Sequence, residues 1–465
     1  MNRSRILPLL GIDILLLFLS YLLGAWLLRE TGILLDFDLN FFLADEQGWL
    51  KTGLVVGTVV VGLYWLGLYE NIRVKSRRML FQDLLITFGV TFFTQALLSY
   101  GRSDLVLSRW IMMGGSALAL GALYSWRLAY TNLVVRVTGR QKVLFLGDSA
   151  LVRELAATIQ EHPERGFEAI GCLVPENEVP GNGFVKRFPA KVMAIEADLA
   201  GQIRRLGPEV VSVSSDLAIT EELSRQLVEC SMEGLAVQGI GVLHEHLFYR
   251  VPLETITLEQ LVFSPALRPR PGVELLQDLY SRVGAAIGLL ISWPVLVLVA
   301  LAVRLDSRGP VIFRQTRISK NGVPFQFLKF RSMHVEDPGA APERAKENDP
   351  RITRVGRWIR LSRLDEFPQF INVLRGEMAL VGPRPEMPEF EADLLKVIPL
   401  YRQRHRVKPG ITGWAQIHHE PEDSTASTAR KLEYDLYYIK NMSPGLDFMI
   451  MFLTVKTIIL RIGAR

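Results

Sequence analysis

The chain has 465 residues, 49% of them hydrophobic and 22% charged, with a mean hydropathy of +0.21 and a formal net charge of +5. An apolar average beside so many charges requires apolar residues gathered in blocks, which excludes a disordered chain and an ordinary soluble globule. The charge is uneven: residues 304–465 hold 27 Lys and Arg against 19 Asp and Glu, whereas residues 1–303 hold 26 against 29, so the C-terminal third is the basic part.

Apolar stretches at 6–28, 52–70, 80–100 and 110–135 each approach the length of about 20 residues needed to cross about 30 Å of hydrocarbon, which predicts a four-helix transmembrane domain over 1–138. A cleaved signal peptide fits poorly, because the first stretch is long, broken by Asp13, lacks a small-residue cleavage site and is followed by three more. Arg3 and Arg5 precede the first block, Arg73, Lys75, Arg77 and Arg78 follow the second, and Arg136, Arg140 and Lys142 follow the fourth. The first outer loop carries Glu30, Asp36, Asp38, Asp45 and Glu46, so both ends of the bundle are expected in the cytoplasm. Asp13, Asp83 and Arg127 lie in or near the spans, where bundle pairing or snorkelling is the expected use of a charge.

From Lys142 the sequence KVLFLGDSALVRELAATIQ reads as a strand, a glycine turn and a helix. Strands are expected at 167–174, 209–215 and LAVQGI, with a helix at 220–233 between the last two, giving a Rossmann-like α/β domain over 139–265. Ser149 and Val152 stand where the second and third glycines of a dinucleotide fingerprint would be, which argues against bound NAD. Two cysteines, Cys172 and Cys230, are too few for a disulfide framework and read as buried residues of a reduced, cytosol-facing region. A Pro-rich linker spans 266–274.

Residues 283–303 are uncharged and flanked by Arg282 and Arg304, long enough for a fifth span. A full crossing would carry the basic C-terminal third outside, against the positive-inside bias. Ser292 and Pro294 at mid-block make a sharp bend available, so a re-entrant helix–break–helix is expected over 280–304.

Beyond it come DSRGPVIFRQTRISKNGVPFQFLKFRSM, an acidic Pro- and Ala-rich loop at 335–350, and RITRVGRWIRLSRLDEFPQFINVLRGEMALVGPRPE. Arg351, Arg354, Arg357, Arg360 and Arg363 recur every three residues, which on one helix forms a slowly winding basic stripe suited to phosphates or anionic headgroups. The stripe ends at Asp365-Glu366, and Pro368 either limits that helix or opens a new one. Lys329, Arg331, Arg384 in the turn Gly382-Pro383-Arg384-Pro385, KPGITGW (408–414) and YDLYY (434–438) surround the pair with cations. Two carboxylates among cations suit phosphoryl transfer, in which an aspartate can itself carry the phosphoryl group.

Those motifs, in this order over residues 275–465, resemble the bacterial polyprenyl-phosphate phosphoglycosyl transferases, whose monotopic α/β catalytic domain carries a re-entrant helix. With the four spans and the middle domain, the chain resembles the family's long, exopolysaccharide-priming form. The resemblance implies a membrane enzyme with Asp365 as nucleophile on a UDP-sugar, Glu366 holding Mg²⁺, and undecaprenyl phosphate as acceptor in a ping-pong sequence that releases UMP. It implies that Lys329, Arg331, Arg360, Arg384 and Asp435 shape the substrate site. It further implies a multi-pass protein of the bacterial inner membrane with the middle and catalytic domains on the cytoplasmic face. A hexose, glucose or galactose, is the expected sugar; a homodimer is compatible with this organisation, and nucleic acid is not an expected partner. Phe367 stands where the family usually has Leu, and Ala379 where Ser often precedes the GPRP turn.

Two other readings compete. A membrane-bound nucleotide-sugar dehydratase or epimerase needs a Tyr-x-x-x-Lys pair, and no tyrosine in the chain has lysine four residues later. A non-enzymatic polysaccharide-assembly scaffold would give the acid pair no chemical role.

Overall fold

The structure, a computed structural model, describes residues 3–30, 47–66, 68–69, 77–138, 140–176, 188, 190–256, 267, 269–334, 349–418 and 424–459. Of the features read above, Asp36, Asp38, Asp45, Glu46, Arg73, Lys75, residues 266 and 268 of the Pro-rich linker and the loop 335–348 lie outside the described residues. The chain divides into two compact units, Met1–Ile240 and Gly241–Arg465.

In the first unit, α1 (Arg3–Glu30), α2 (Gly48–Trp65), α3 (Arg77–Gly101) and α4 (Arg109–Thr138) form a bundle. Pro8–Leu28, Gly48–Trp65 and Asp83–Gly101 are long and apolar enough to cross a membrane, and α4 is long enough but carries Arg127 within it. Gly24 and Gly115 let α1 and α4 approach backbone to backbone; a Cβ on Gly24 would lie 2.8 Å from the Gly115 nitrogen. Across the same pair of helices the buried Arg127 and Asp13 are ion-paired; Tyr69 donates to Asp13 at 2.9 Å and Arg127 donates to the Leu68 carbonyl at 2.7 Å. Both charges therefore tie the bundle together.

The same unit holds a five-stranded parallel sheet, β1 (Gln141–Leu146), β2 (Phe167–Val174), β3 (Lys191–Ala194), β4 (Val210–Val213) and β5 (Ala236–Gly239), in the order β3-β2-β1-β4-β5. Helices α5 (Ala150–Glu161), α6 (Leu199–Leu206) and α7 (Glu221–Met232) alternate with the strands. The three expected strands and the helix at 220–233 are present, whereas the four-residue edge strand β3 had no alternating pattern to announce it. Ser149 caps α5 by accepting from the Val152 N–H at 3.2 Å, and Val152 is buried. Both cysteines are buried and free.

The second unit starts within α8 (Ile240–Phe248), so the compact division falls ahead of the linker read from the sequence. Val251 belongs to the same apolar core as Trp414, Leu432 and Leu436. Next comes α9, a single helix of 36 residues from Pro271 to Asp306. The expected interruption at Ser292–Pro294 is absent: the α-helix runs through both residues, with the Ser292 hydroxyl donating to the Gly288 carbonyl at 2.6 Å. Proline removes one backbone donor, and the turns on either side keep enough hydrogen bonds to carry the helix past it.

Strands β6 (Ile312–Ile318) and β7 (Pro324–Phe330) form an antiparallel hairpin. Then follow α10 (Arg354–Leu361), a 3-10 turn Leu364–Glu366, α11 (Gln369–Leu374), β8 (Ala379–Val381), α12 (Pro388–Val397), a 3-10 segment Pro399–Arg406, β9 (Gly410–Thr412), α13 (Trp414–His418), α14 (Thr425–Asn441) and α15 (Pro444–Ile459). β8 and β9 are paired in parallel, so the GPRP turn after β8 lies against KPGITG. Glycine is required there: a Cβ on Gly382 would lie 2.4 Å from the Lys408 carbonyl oxygen, and one on Gly410 2.1 Å from the Gly382 nitrogen.

Candidate active site

The expected single basic stripe is divided. Only Arg354, Arg357 and Arg360 lie on α10; Arg351 precedes it and pairs with Asp349 at 2.6 Å. After the cap residue Ser362, Arg363 adopts φ 58°, ψ 14°, a left-handed conformation that a side chain rarely takes. This reversal stops the helix and presents Asp365 and Glu366 on a 3-10 turn instead, where successive side chains diverge by about 120°. Pro368 caps the start of α11 and so opens a new helix rather than limiting the old one.

The two carboxylates sit in different settings. Glu366 Oε1 accepts from Arg384 at 3.1 Å, with Arg363 at 4.0 Å from the same oxygen. Burial works to raise its pKa, but Arg384 and Arg363, with Lys329, outweigh burial and hold it below the usual glutamate value. No hydrogen-bond donor or ion-pair partner reaches the Asp365 side chain among the described residues. Burial and the neighbouring Glu366 charge push Asp365 up to about 6, against the pull of Lys329, Arg360 and Arg363. One turn thus holds a committed anion beside a carboxylate that ionises close to neutrality.

Lys329 faces Phe313 across the hairpin, its Nζ 5.0 Å from the ring centre. Burial, with Arg317, Arg384 and Arg360 around it, lowers its ammonium to about 8 despite the Asp365 charge. The surroundings are therefore strongly cationic: Lys329, Arg360, Arg363 and Arg384 all act on one or both acids. Such a cluster suits a ligand with several negative oxygens, which would neutralise what the two carboxylates leave uncompensated.

The family model described as bacterial sugar transferase matches residues 273–461. A UDP-glucose:undecaprenyl-phosphate glucose-1-phosphate transferase of Caulobacter vibrioides is 36% identical over 237 residues, 50% of this chain and 86% of that relative. The chain belongs to the bacterial sugar transferase family. A protein of the same name from Escherichia coli K12 is 36% identical over 322 residues, 68% of this chain and 67% of the relative. A UDP-N-acetylgalactosamine-undecaprenyl-phosphate N-acetylgalactosaminephosphotransferase of Aeromonas hydrophila is 38% identical over 256 residues, 55% of this chain and 60% of the relative. The chain thus spans about 60% of the Aeromonas protein and two thirds of the Escherichia one.

Within this family member, the residues expected at the substrate site do not all converge. Lys329, Arg360 and Arg384 gather at the dyad. Arg331 does not: its guanidinium is buried and donates to the carbonyls of Pro310 at 2.5 Å and Ser307 at 2.7 Å, fastening the chain that follows α9. β7 ends at Phe330, so the two-residue spacing that would put Arg331 on the face of Lys329 no longer applies. Asp435 is buried and pairs with Arg404 at 2.9 Å; Arg404 also donates to the Arg384 carbonyl at 2.9 Å. Asp435 is therefore linked to the GPRP turn through Arg404. Burial pushes it up to about 6, against the pull of Arg404.

Sequence reasoning missed Arg404 and Arg317. Arg317 lies 4.3 Å over the Phe327 ring and donates to the Pro385 carbonyl at 2.6 Å, and burial together with Arg384 lowers its pKa to about 10. Its position on β6, two residues from Gln315, which accepts from it at 3.0 Å, gives no distinctive spacing. Arg404 carried a weak signal, a cation-rich RQRHR run leading into KPGITGW.

Proposed function

We propose that the chain transfers a sugar-1-phosphate, most simply a hexose-1-phosphate, from a UDP-sugar to undecaprenyl phosphate, giving undecaprenyl-diphosphate-sugar and UMP as the first step of exopolysaccharide or capsule synthesis. The observation that carries this is the split dyad: an Asp365 without a hydrogen-bond or ion-pair partner among the described residues, pushed up to about 6, beside a Glu366 held as an anion, with Lys329, Arg360, Arg363 and Arg384 around them. The Asp365 carboxylate attacks the sugar-linked phosphorus, a new P–O bond forms, the bond to UMP breaks, and UMP departs with the electron pair. An oxygen of the lipid phosphate then attacks the same phosphorus and releases the Asp365 carboxylate. Arg384, Arg360 and Lys329 balance charge on the non-bridging oxygens. The names of the Caulobacter and Escherichia relatives support glucose, and that of the Aeromonas relative supports N-acetylgalactosamine, so both are donors to test.

A divalent cation fits the dyad. Arg384 and Arg363 both approach Glu366 through Oε1, and a Mg²⁺ site needs only one or two carboxylates plus substrate phosphates and water. Glu366, with Asp365 beside it, would hold Mg²⁺, whose chemistry there is neutralisation of diphosphate charge. The middle sheet is read as a Rossmann-like module; Ser149 capping α5 makes it a poor pyrophosphate site, which speaks against NAD.

The membrane reading extends to α9, proposed to enter and leave on the cytoplasmic face of the bacterial inner membrane, the face on which the middle and catalytic domains are proposed to lie. Ala285 shares an apolar cluster with Phe327, and Val299 and Val303 share one with Phe330. Those phenylalanines are three residues apart on β7, about 10 Å. A straight helix would separate Ala285 from Val303 by about 27 Å, so a bend within the uninterrupted helix is favoured. Between the two packed flanks, Leu290, Ile291, Trp293, Val297 and Leu298 are exposed, as an apex in lipid would be.

Incubating the purified protein in lipid nanodiscs with Mg²⁺, undecaprenyl phosphate and a panel of UDP-sugars, and following UMP, tests the proposal. UMP release with at least one donor is expected; none with any donor, from folded protein, would refute it.

A further inference from the structure

Arg384 reaches Glu366 only because the turn that carries it is held in place, and the grip extends into α9. The Val381 carbonyl, three residues before Arg384, is buried and accepts from Gln277 Nε2 at 3.1 Å, with the Tyr438 oxygen 3.2 Å away. Gln277 Nε2 also lies 2.6 Å from Asp447 Oδ2 and 2.7 Å from the Tyr438 oxygen, and the Tyr438 hydroxyl lies 2.8 Å from Asp447 Oδ1. Tyr280, three residues along α9 from Gln277, donates to Asp447 as well. Gln277, Tyr438 and Asp447 are all buried. Asp447 has no cationic partner among the described residues, so these amide and hydroxyl donors alone satisfy it.

Proton counting limits how this cluster can move. The Gln277 amide has two hydrogens and the Tyr438 and Tyr280 hydroxyls one each, against the Val381 carbonyl, both Asp447 oxygens and the Tyr438 oxygen as acceptors. Asp447 takes hydrogens from three side chains, and Gln277 keeps one for Val381. Rotating either donor away would strand a buried acceptor, so the arrangement has little slack. The same face of α9 adds the Ser281 hydroxyl, 3.3 Å from the Leu380 N–H, and Gly284, where a Cβ would lie 2.8 Å from the Leu380 side chain. β8 is thus indexed against one helix face by residues 277, 281 and 284. Beyond Val381 the path to Arg384 is short and stiff: Gly382 donates to the Thr412 carbonyl at 2.9 Å, and the Pro383 carbonyl accepts from Gly410 at 3.0 Å.

We infer that Gln277 and Tyr438 are positioning residues that register the Arg384 turn against α9, so that the apolar helix, and not only the surrounding core, sets where Arg384 meets Glu366. Asp447 orients both. The inference rests on the transferase reading, since Arg384 has a task to be positioned for only if the dyad is catalytic.

A double-mutant cycle tests it in the full-length protein in nanodiscs, with UDP-glucose and UDP-N-acetylgalactosamine as donors and undecaprenyl phosphate as acceptor. Gln277→Leu should lower kcat about tenfold, with KM for the donor changed less than threefold. In an Arg384→Lys background, whose shorter, non-forked side chain no longer makes the 3.1 Å contact with Glu366 that the turn sets, the same change should cost less than twofold. Tyr438→Phe should follow the same pattern and replaces Gln277→Leu if that variant fails to fold. Where steady-state turnover in the Arg384→Lys background is too slow to follow, the rate of the single-turnover UMP burst over a longer time course gives the same comparison. Equal losses in both backgrounds would make Gln277 merely structural and overturn the inference, as would no loss in the Arg384 protein. Absence of UMP release from the unsubstituted protein would instead remove the transferase reading itself.

Discussion

The N-terminal helix bundle and the C-terminal unit each set an aspartate beside arginine, fully buried in the bundle and half-buried in the C-terminal unit, and the two regions use it in opposite ways. In the bundle, Asp13 is paired with Arg127 and hydrogen-bonded by Tyr69, and Arg127 spends a further donor on Leu68. In the C-terminal unit, Asp365 has several cations near it but no donor on it among the described residues. Asp13 takes both donors on Oδ2, which fixes the carboxylate in the bundle although its Oδ1 has none among the described residues, whereas neither oxygen of Asp365 is held by a donor there. Asp435 makes the contrast within one unit: it is buried to a similar pKa of about 6, yet closed by Arg404 at 2.9 Å. Proximity to arginine therefore does not single out the proposed nucleophile; what separates Asp365 from Asp13 and Asp435 is that it lacks any ion pair or hydrogen bond among the described residues.

The largest expected effect breaks the comparison on the chemical side. Asp365→Asn should reduce UMP release by at least ~10³-fold, measured against any accepted UDP-sugar. Next comes the structural side. Arg127→Leu should cost about 3–5 kcal/mol by stranding a buried Asp13, seen as a fall in Tm, while turnover per folded molecule is kept. Arg384→Ala should lower kcat about 10²-fold, because Glu366 loses its 3.1 Å partner and the transferring phosphate loses a cation.

Smaller effects come from pH. Activity should fall on the acid side with a midpoint near 6, where Asp365 takes up its proton, and on the alkaline side near 8, where Lys329 loses its own. Lys329→Arg should move the alkaline limb upward and leave the acid limb in place. The same Asp365 shift bears on stability. Because the folded protein holds that proton more tightly than the unfolded chain, its contribution is full at low pH and is lost as pH rises through about 6. Asp365→Asn should therefore raise Tm by a few degrees at pH 7.5, with the gain disappearing near pH 4.

Much of this organisation is legible in the sequence where it depends on local pattern. Apolar runs announce α1 to α4 and α9, alternation of strand and helix announces the parallel sheet, and Asp-Glu beside a run of arginines announces the dyad. What the sequence hides depends on where a local pattern stops. The arginine period of three continues through Arg363, but the helix ends two residues earlier, and that left-handed residue creates the turn on which the acids stand. Arg331 follows Lys329 at strand spacing, yet the strand ends between them and the guanidinium turns back to the loop after α9. Arg317 and Arg404 act through backbone carbonyls of the GPRP turn, contacts made between segments far apart in the chain that no spacing rule encodes. Pro294 suggested an interruption that the helix absorbs.

The central claim is that Asp365 is an open nucleophile, and trapping its product tests that most directly. The protein is incubated with Mg²⁺ and an accepted UDP-sugar but without undecaprenyl phosphate, quenched, and digested for mass spectrometry while UMP is counted. The account predicts a stoichiometric burst of UMP and a phosphosugar mass on the peptide containing Asp365, both lost in Asp365→Asn. UMP released only when the lipid phosphate is present, with no adduct on that peptide, would contradict it.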